Sequence, residues 1–160
     1  MTATSSITAR PITPADDAFL QDVFASSREA EMAAVPWPEQ TKRGFLIQQY
    51  TAQHAHYFAH FPSAKFWIVE LDEIPVGRYY LDRQADQLHI LDLTLLPDFR
   101  NRGIATSLIA ELLREADSLG IPVNLYVEQN NPAQTLYRRL GFQPVRDEGI
   151  YWFMERPTNS

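Results

Sequence analysis

The stretch from Leu88 to Gly120 constrains the fold more than any other part of the chain, because it predicts a strand, a turn and a helix in succession. Leu88–Leu96 is an apolar run with the length and content of a buried strand. Gly120 is placed to end the helix that follows, and Pro122 prevents it from resuming. That helix is amphipathic, with an apolar stripe formed by Leu108, Ile109, Leu112, Leu113, Ala116 and Leu119.

The turn between this strand and this helix has the features of an anion site. The first N–H groups of a helix lack intrahelical partners, and the helix dipole favours negative charge beside them. Gly103 allows a ligand to approach the backbone closely, and Ala105 adds little bulk. Arg100 and Arg102 bring positive charge to the same turn. The sequence therefore predicts that this turn binds a phosphate or a pyrophosphate.

Two motifs of the chain resemble those of one enzyme family. Residues 100–105 read Arg-x-x-Gly-x-Ala, which is similar to the acetyl-CoA motif Gln/Arg-x-x-Gly-x-Gly/Ala of the GNAT superfamily of N-acetyltransferases. A second stretch resembles the GNAT signature Asn-x-x-Ala-x-x-Leu-Tyr-x-x-x-Gly-Phe. Its residues in register are Asn130, Ala133, Leu136, Tyr137, Gly141 and Phe142.

The flanking segments fit the same fold. Apolar and alternating runs predict strands at residues 7–12, 65–71, 75–81, 88–96, 123–128, 142–146 and 150–154, with helices at residues 13–27 and 39–59. The predicted order is β-α-α-β-β-β-α-β-α-β-β. We expect an α/β chain with an α+β mixed sheet, the GNAT fold, in a single domain over residues 7–156. Residues 1–6 are small and polar, and we expect them to be disordered.

Composition narrows the function further. A chain of 160 residues with 45% apolar residues suits one globular domain, and the lack of cysteine excludes disulfides, thiolate nucleophiles and zinc–cysteine sites. A net charge of −6 disfavours binding to nucleic acid. No apolar run is long enough to span a bilayer, and the first residues lack the hydrophobic core of a signal peptide. We therefore expect a cytoplasmic protein with no membrane or nucleic-acid partner.

The resemblance implies acetyl-CoA as the co-substrate and no metal. The family's sheet opens beside its central strand, and the acyl-CoA lies in that opening. Backbone groups of Leu93 and Leu95 would pair with the pantetheine arm like an added strand. Asn130 matches a family residue that contacts that arm. The pyrophosphate would bind the turn formed by Arg100, Asn101, Arg102, Gly103, Ile104 and Ala105.

The reaction needs a general acid and a route for the amine proton. Tyr137 matches the family tyrosine that lies near the CoA sulfur, and a tyrosine is protonated at neutral pH and can donate to the departing thiolate. For the base, His89 stands where some members carry a glutamate, and Asp92 is the carboxylate within the apolar run. A more distant glutamate acting through water is a third choice. Successive side chains of a strand point to opposite faces, so His89 and Asp92, three residues apart, should face opposite sides of the sheet.

The acceptor site is the part of the molecule that the sequence pattern predicts least well. In the GNAT fold the helices after the first strand, with their connecting loop, form one wall of that site, so Arg28, Glu31 and Trp37 are candidates. The alternative is that Trp37 packs over the core while Arg28 and Glu31 pair on the surface. The histidines near the end of the second helix lack a His-Glu-x-x-His arrangement, so we expect a solvated or aromatic-packed face there rather than a metal site.

These observations predict an enzyme that transfers an acetyl group from acetyl-CoA to a primary amine by direct attack. Two alternatives stay open: a catalytically silent acyl-CoA-binding or regulatory module, and a transferase for a longer acyl chain. The acceptor can be a small molecule or a peptide. Dimerisation is common in the family, so a homodimer is compatible with the resemblance.

Overall fold

A computed structural model describes residues 6–158 of the chain. The expectation of disorder for residues 1–6 falls mainly on residues 1–5, which lie outside the described residues. The strands are β1 (Ile7–Pro11), β2 (Lys65–Leu71), β3 (Ile74–Arg83), β4 (Leu88–Leu95), β5 (Val123–Glu128), β6 (Gln143–Glu148) and β7 (Tyr151–Arg156). The helices are α1 (Asp17–Ser27), α2 (Glu29–Ala33), α3 (Glu39–His60), α4 (Ile104–Leu119) and α5 (Gln134–Arg139).

The strands are hydrogen-bonded in the order β1-β2-β3-β4-β5-β7-β6. β1 runs antiparallel to β2, and β7 runs antiparallel to both β5 and β6. β4 and β5 are parallel, which the helix between them predicted. The predicted mixed sheet with helices is confirmed as an α+β fold.

The pairing of β4 with β5 is short. Its register runs from Leu88↔Val123 to Ile90↔Leu125. β4 then continues to Leu95 and β5 to Glu128. Leu93 and Leu95, the predicted pantetheine partners, and Asp92 therefore lie on β4 beyond the last of these pairs.

The described residues divide into two compact units, one of residues 6–80 with 93–100 and one of residues 81–92 with 101–158. In the first unit, α1 begins after a capping interaction in which the Thr13 N–H donates to the Asp16 carboxylate at 2.8 Å. Apolar residues at helical spacing on α1 then face the strands and α3. The resulting core contains Leu20, Phe24, Tyr50 and Ile68, with Ile12, Phe19 and Leu46 packed against it.

The second unit is built around α4 and the three C-terminal strands. The apolar stripe predicted for α4 is buried on one side, whereas Leu119 at its end is 59% exposed. An ion pair between Arg156 on β7 and Asp117 on α4 adds to this packing. The buried residues of this unit include Leu88, Ile90, Ile109, Leu112, Val123, Leu125, Phe142 and Met154.

Some of the observed elements differ from the predicted ones. No helix was predicted between residues 27 and 39, yet Glu29–Ala33 forms the short helix α2. β3 begins at Ile74 rather than Pro75, because Asp72 and Glu73 both have positive φ and form a two-residue hairpin turn. β6 extends to Glu148, so the final turn is narrower than predicted.

Within residues 6–158, no helix combines the length and the apolar character that a membrane span requires. In the same range, no group of three or more histidine, cysteine or acidic side chains is arranged to hold a metal ion. His56 and His60 stack on each other, with ring centroids 4.2 Å apart. His54 is buried among aromatic rings.

Candidate active site

The turn before α4 has the backbone that the anion-site prediction requires. Asn101 has φ of 60° and Gly103 has φ of 81°, and Gly103 caps α4 in a left-handed conformation. A Cβ added at Gly103 would meet no atom within 4 Å, so the glycine is needed for its backbone angle and leaves open space at the helix start. Asn101, Arg102 and Gly103 are exposed. The N-terminus of α4 is therefore accessible to an anionic group.

Arg100 has a second role in the first unit. Its Nε donates to the Leu95 carbonyl oxygen at 3.1 Å, which ties the guanidinium to the end of β4. The Leu96 N–H donates to the Val76 carbonyl at 2.8 Å. A Cβ on Gly77 would lie 2.4 Å from the Thr94 carbonyl oxygen, so glycine is required for the close approach of β3 to β4. These contacts hold the end of β4, where Leu93 and Leu95 are the predicted pantetheine partners.

The start of α5 is held by the side chains of Asn131 and Gln134. The Asn131 side-chain oxygen accepts the Ala133 N–H at 2.8 Å, which forms the turn that leads into the helix. Gln134 Nε2 donates to the Glu128 carbonyl at 3.1 Å and also to the Gln129 carbonyl. Asn130, the residue predicted to contact the cofactor, is exposed beside this turn.

Tyr137 is the buried residue of α5 and is only 8% exposed. Its ring packs edge-on against Phe142, with centroids 5.8 Å apart. Burial raises the pKa of the Tyr137 phenol, and the charge of Asp92 raises this pKa further. Tyr137 is therefore a protonated donor throughout the neutral range. The structure brings Tyr137 and Asp92, two of the predicted site residues, into electrostatic contact.

His89 and Asp92 are three residues apart on β4, a spacing that puts their side chains on opposite faces of a strand. It is 7% exposed, and its Nδ1 is 2.6 Å from the side-chain oxygen of Asn124 on β5. Since a carbonyl oxygen can only accept, Nδ1 carries the hydrogen, and the lone pair of the neutral ring lies on Nε2. Burial lowers the pKa of His89, against smaller opposing effects of Asn124 and Asp82. His89 is therefore neutral at pH 7 and has the protonation state of a base.

The three predicted acceptor residues take part in local contacts. Arg28 Nη1 lies 3.3 Å from Glu31 Oε1, and the Arg28 guanidinium stands 5.4 Å from the Phe24 ring centroid. Trp37 is 43% exposed and packs edge-on against Phe45 at 5.4 Å. Arg28 and Glu31 thus pair with each other, Trp37 lies on the surface rather than over the core, and the acceptor role of the three residues stays a prediction.

A surface cavity of about 580 Å³ lies among the same helices of the first unit. Its lining includes none of the three predicted residues. Both apolar and charged side chains line the cavity: Ala25, Glu29, Met32, Ala33, Glu39, Gln40, Lys42, Arg43 and Leu46.

Several known proteins are similar to this chain in sequence and in architecture. Residues 26–142 match the acetyltransferase (GNAT) family. The chain is 30% identical over 162 residues to histone acetyltransferase MCC1 of Arabidopsis thaliana, covering 94% of this chain and 66% of that protein. It is 27% identical over 119 residues to a protein of Bacillus subtilis (strain 168) named putative ribosomal protein bS18-alanine N-acetyltransferase, covering 72% of this chain and 70% of that one. The chain thus spans about two thirds of the length of the first of these relatives.

Among solved structures, the PaiA N-acetyltransferase of Thermoplasma acidophilum in complex with coenzyme A superposes with a TM-score of 0.71 at 22% identity. The match covers 95% of this chain and 99% of that one. At this identity the likeness concerns the fold, and it agrees with the strand order described above. Together with the family match over residues 26–142, it establishes that the chain belongs to the GNAT family of acetyltransferases.

Proposed function

We propose that this protein transfers the acetyl group of acetyl-CoA to a primary amine by direct attack, without a covalent protein intermediate. The observation that carries the proposal is the buried phenol of Tyr137, which the apolar surroundings and Asp92 keep protonated. A thioester that loses a thiolate needs such a donor beside the sulfur. The lack of cysteine in the chain agrees with direct transfer.

The co-substrate is held by the turn before α4 and by the end of β4. The pyrophosphate binds the N–H groups between Arg100 and Ala105, and the open space over Gly103 supports this assignment. The pantetheine arm pairs with backbone groups of Leu93 and Leu95, and Asn130 contacts the arm. The coenzyme A complex of the structural relative is consistent with this choice of co-substrate.

In the chemical step the amine nitrogen attacks the thioester carbonyl carbon, the C–N bond forms, and the C–S bond breaks. A backbone N–H of β4 stabilises the carbonyl oxygen as it gains charge. Tyr137 donates its hydrogen towards the departing thiolate. His89 takes the proton that the amine loses, because it is neutral and carries its lone pair on Nε2. Asp92 acts through Tyr137, whose protonated form its charge favours.

We infer that residues 7–156 form a single domain. The matched family segment, residues 26–142, runs across both compact units. Two of the three boundaries between the units fall inside β3 and β4 rather than in linkers, which supports the inference.

We further propose that the acceptor is an amine of a peptide or protein. The names of the two sequence relatives specify a histone and a ribosomal protein alanine as their substrates. Arg28, Glu31 and Trp37 are the residues that we assign to the acceptor wall. Thiol release in the presence of basic peptides, alanine-terminated peptides, free amino acids and polyamines tests this choice, and turnover with small amines alone would contradict it.

Titration calorimetry with acetyl-CoA and CoA tests the proposed co-substrate. The wild-type protein should bind both, and Gly103→Val should lose this binding because a β-branched residue is strained at φ of 81°. Gly149→Val, at a comparable φ of 80° in the final hairpin, is the matched control and should retain binding. Absence of wild-type binding would favour a scaffold without catalysis, and preferential turnover of longer acyl-CoA would identify a different acyl donor.

A further inference from the structure

A continuous chain of side-chain hydrogen bonds joins His89 to a buried carboxylate in the second unit. His89 Nδ1 donates to Asn124 Oδ1 at 2.6 Å, and Asn124 Nδ2 donates to Gln87 Oε1 at 2.7 Å. Gln87 Nε2 donates to Gln84 Oε1 at 2.9 Å, and Gln84 Nε2 donates to Asp82 Oδ2 at 2.8 Å. We call the three amides of Gln84, Gln87 and Asn124 the amide chain.

The direction of the amide chain follows from its last member. A carboxylate can only accept, so Gln84 must present its NH₂ group to Asp82 and its oxygen to Gln87. Each amide then repeats this choice, because an NH₂ group at one end leaves a carbonyl oxygen at the other. Asn124 therefore presents an oxygen to His89. Glu155 Oε2, which is 3.4 Å from Asn124 Nδ2, favours the same orientation.

We propose that Asp82, acting through the amide chain, fixes His89 as the Nδ1–H tautomer and thereby keeps the lone pair on Nε2. Asp82 and Asn124 are thus positioning residues of the second unit. The catalytic meaning of this arrangement rests on the proposed function, in which His89 Nε2 takes the amine proton. The arrangement itself is independent of any reaction.

Burial of Asp82 and of Asn124, the amide that meets His89, supports a specific role for their contacts. Asp82 is 5% exposed and Asn124 is fully buried. Asp82 Oδ1 is buried and has no hydrogen-bond partner among residues 6–158, which is costly for a carboxylate. The charge of Asp82 acts on His89 and favours the protonated ring. Asp82 therefore also stabilises the imidazolium that a base becomes after it takes a proton.

The local backbone holds the first part of the amide chain in place. The Gln84 N–H donates to the Gln87 carbonyl at 2.9 Å, which closes the turn between β3 and β4. Asp82 and His89 belong to the two strands that this turn connects. Asn124 is the Cα partner of His89 in the parallel pairing of β4 with β5. The five side chains are therefore positioned by one hairpin and one strand register.

Nitrogen-15 NMR of the histidine rings in the whole protein tests the proposal. His89→Gln identifies the His89 signals by their loss. At neutral pH the wild type should show a protonated Nδ1 and an unprotonated Nε2 for His89. Observation of the Nε2–H tautomer in the wild type would overturn the proposal directly.

Two variants test the cause of this tautomer. Asp82→Asn lets residue 82 donate as well as accept, and Gln84→Met cuts the chain at an exposed position where folding should be unaffected. Each should produce a measurable population of the Nε2–H tautomer at His89. Asp86→Asn removes the same charge from the exposed turn and should leave the wild-type tautomer. An unchanged His89 spectrum in both Asp82→Asn and Gln84→Met would overturn the role of Asp82.

Turnover is measured separately on the same variants. Asp82→Asn and Gln84→Met should lower kcat by about 10–100-fold, the range found when an outer partner that orients a histidine is lost. CoA affinity should stay unchanged. If the wild type transfers no acetyl group, the proposed function fails, whereas the NMR result still decides whether Asp82 fixes the tautomer.

Discussion

Each unit of the molecule buries one histidine, and the two sites differ in what surrounds the ring. His54 in the first unit is 9% exposed and His89 in the second is 7% exposed. His54 packs against Tyr50, with ring centroids 4.3 Å apart, and its Nε2 is 2.7 Å from the Tyr80 hydroxyl. His89 instead meets the oxygen of an amide.

The difference shows that burial alone does not prepare a base. A hydroxyl both donates and accepts, so the contact between His54 and Tyr80 is compatible with either tautomer. An amide chain that ends on a carboxylate allows one direction only. Burial excludes water at both rings, and at His89 the contact with Asn124 also specifies which nitrogen keeps its lone pair.

The largest expected effect is a loss of turnover that follows substitution of His89 but not substitution of His54. His89→Gln should lower kcat/KM by about 10²–10⁴-fold, the usual contribution of a general base. His54→Gln should lower the free energy of unfolding by about 1–3 kcal/mol, because the Tyr80 hydroxyl loses its partner, while kcat/KM stays close to wild type. Steady-state thiol release and urea unfolding measure the two quantities. Comparable losses of turnover in both variants would remove the distinction.

The buried tyrosines Tyr137 and Tyr80 allow the same comparison between the two units, with smaller expected effects on turnover and stability. Tyr137→Phe should lower kcat by about 10²-fold, at the lower end of acid–base contributions, with CoA affinity nearly intact. Tyr80→Phe removes a hydroxyl that bonds His54, so it should cost about 1 kcal/mol of stability and little turnover. Equal turnover in Tyr137→Phe and the wild type would exclude Tyr137 as the acid.

The smallest expected effect is a pH dependence of stability. Because burial lowers the folded-state pKa of His89, the unfolded chain binds a proton more readily. His89 therefore contributes fully to stability above its unfolded pKa, about 6.5, and loses this contribution as the pH falls through its folded pKa. The slope should be at most about 1.4 kcal/mol per pH unit, and His89→Gln should reduce it.

The carboxylate of Asp16 does not obscure that measurement at mildly acidic pH. Hydrogen bonds from Arg10, and to a lesser extent from Thr13, hold the pKa of Asp16 at about 2. Its contribution is complete above the unfolded value of 3.8 and is lost only as the pH falls through about 2. Unfolding in urea between about pH 5 and pH 7 thus isolates the histidines. A slope that persists in His89→Gln but disappears in His54→Gln would contradict the assignment.

Local patterns were sufficient to predict most of the fold. β2 and β5 have the predicted bounds, because each is a short apolar or alternating run between clear turn residues. The turn before α4 was predicted because a glycine at positive φ, flanked by arginines, leaves a recognisable sequence. The helix α2 was missed because a single turn with two proline neighbours downstream has no periodicity to detect.

The candidate site was only partly predictable. Tyr137 and His89 could be proposed from their register with the two motifs, and Asp92 could be proposed as the carboxylate within the apolar run of β4. The role of Asn124 could not, because it depends on the parallel register that places Asn124 opposite His89, 35 positions earlier in the chain. Its signal in the sequence is a lone asparagine within the apolar strand 123–127, which is unfavourable there unless the amide has buried partners.

The pH dependence of kcat/KM, in wild type and in His89→Gln, shows whether His89 accepts the amine proton. The wild-type rate should fall on the acid side with an apparent pKa below the usual histidine value, since protonation of His89 removes the base. This acidic limb should be absent from the residual activity of His89→Gln and retained in His54→Gln. An acidic limb that is unchanged in His89→Gln would contradict the claim that His89 accepts the amine proton.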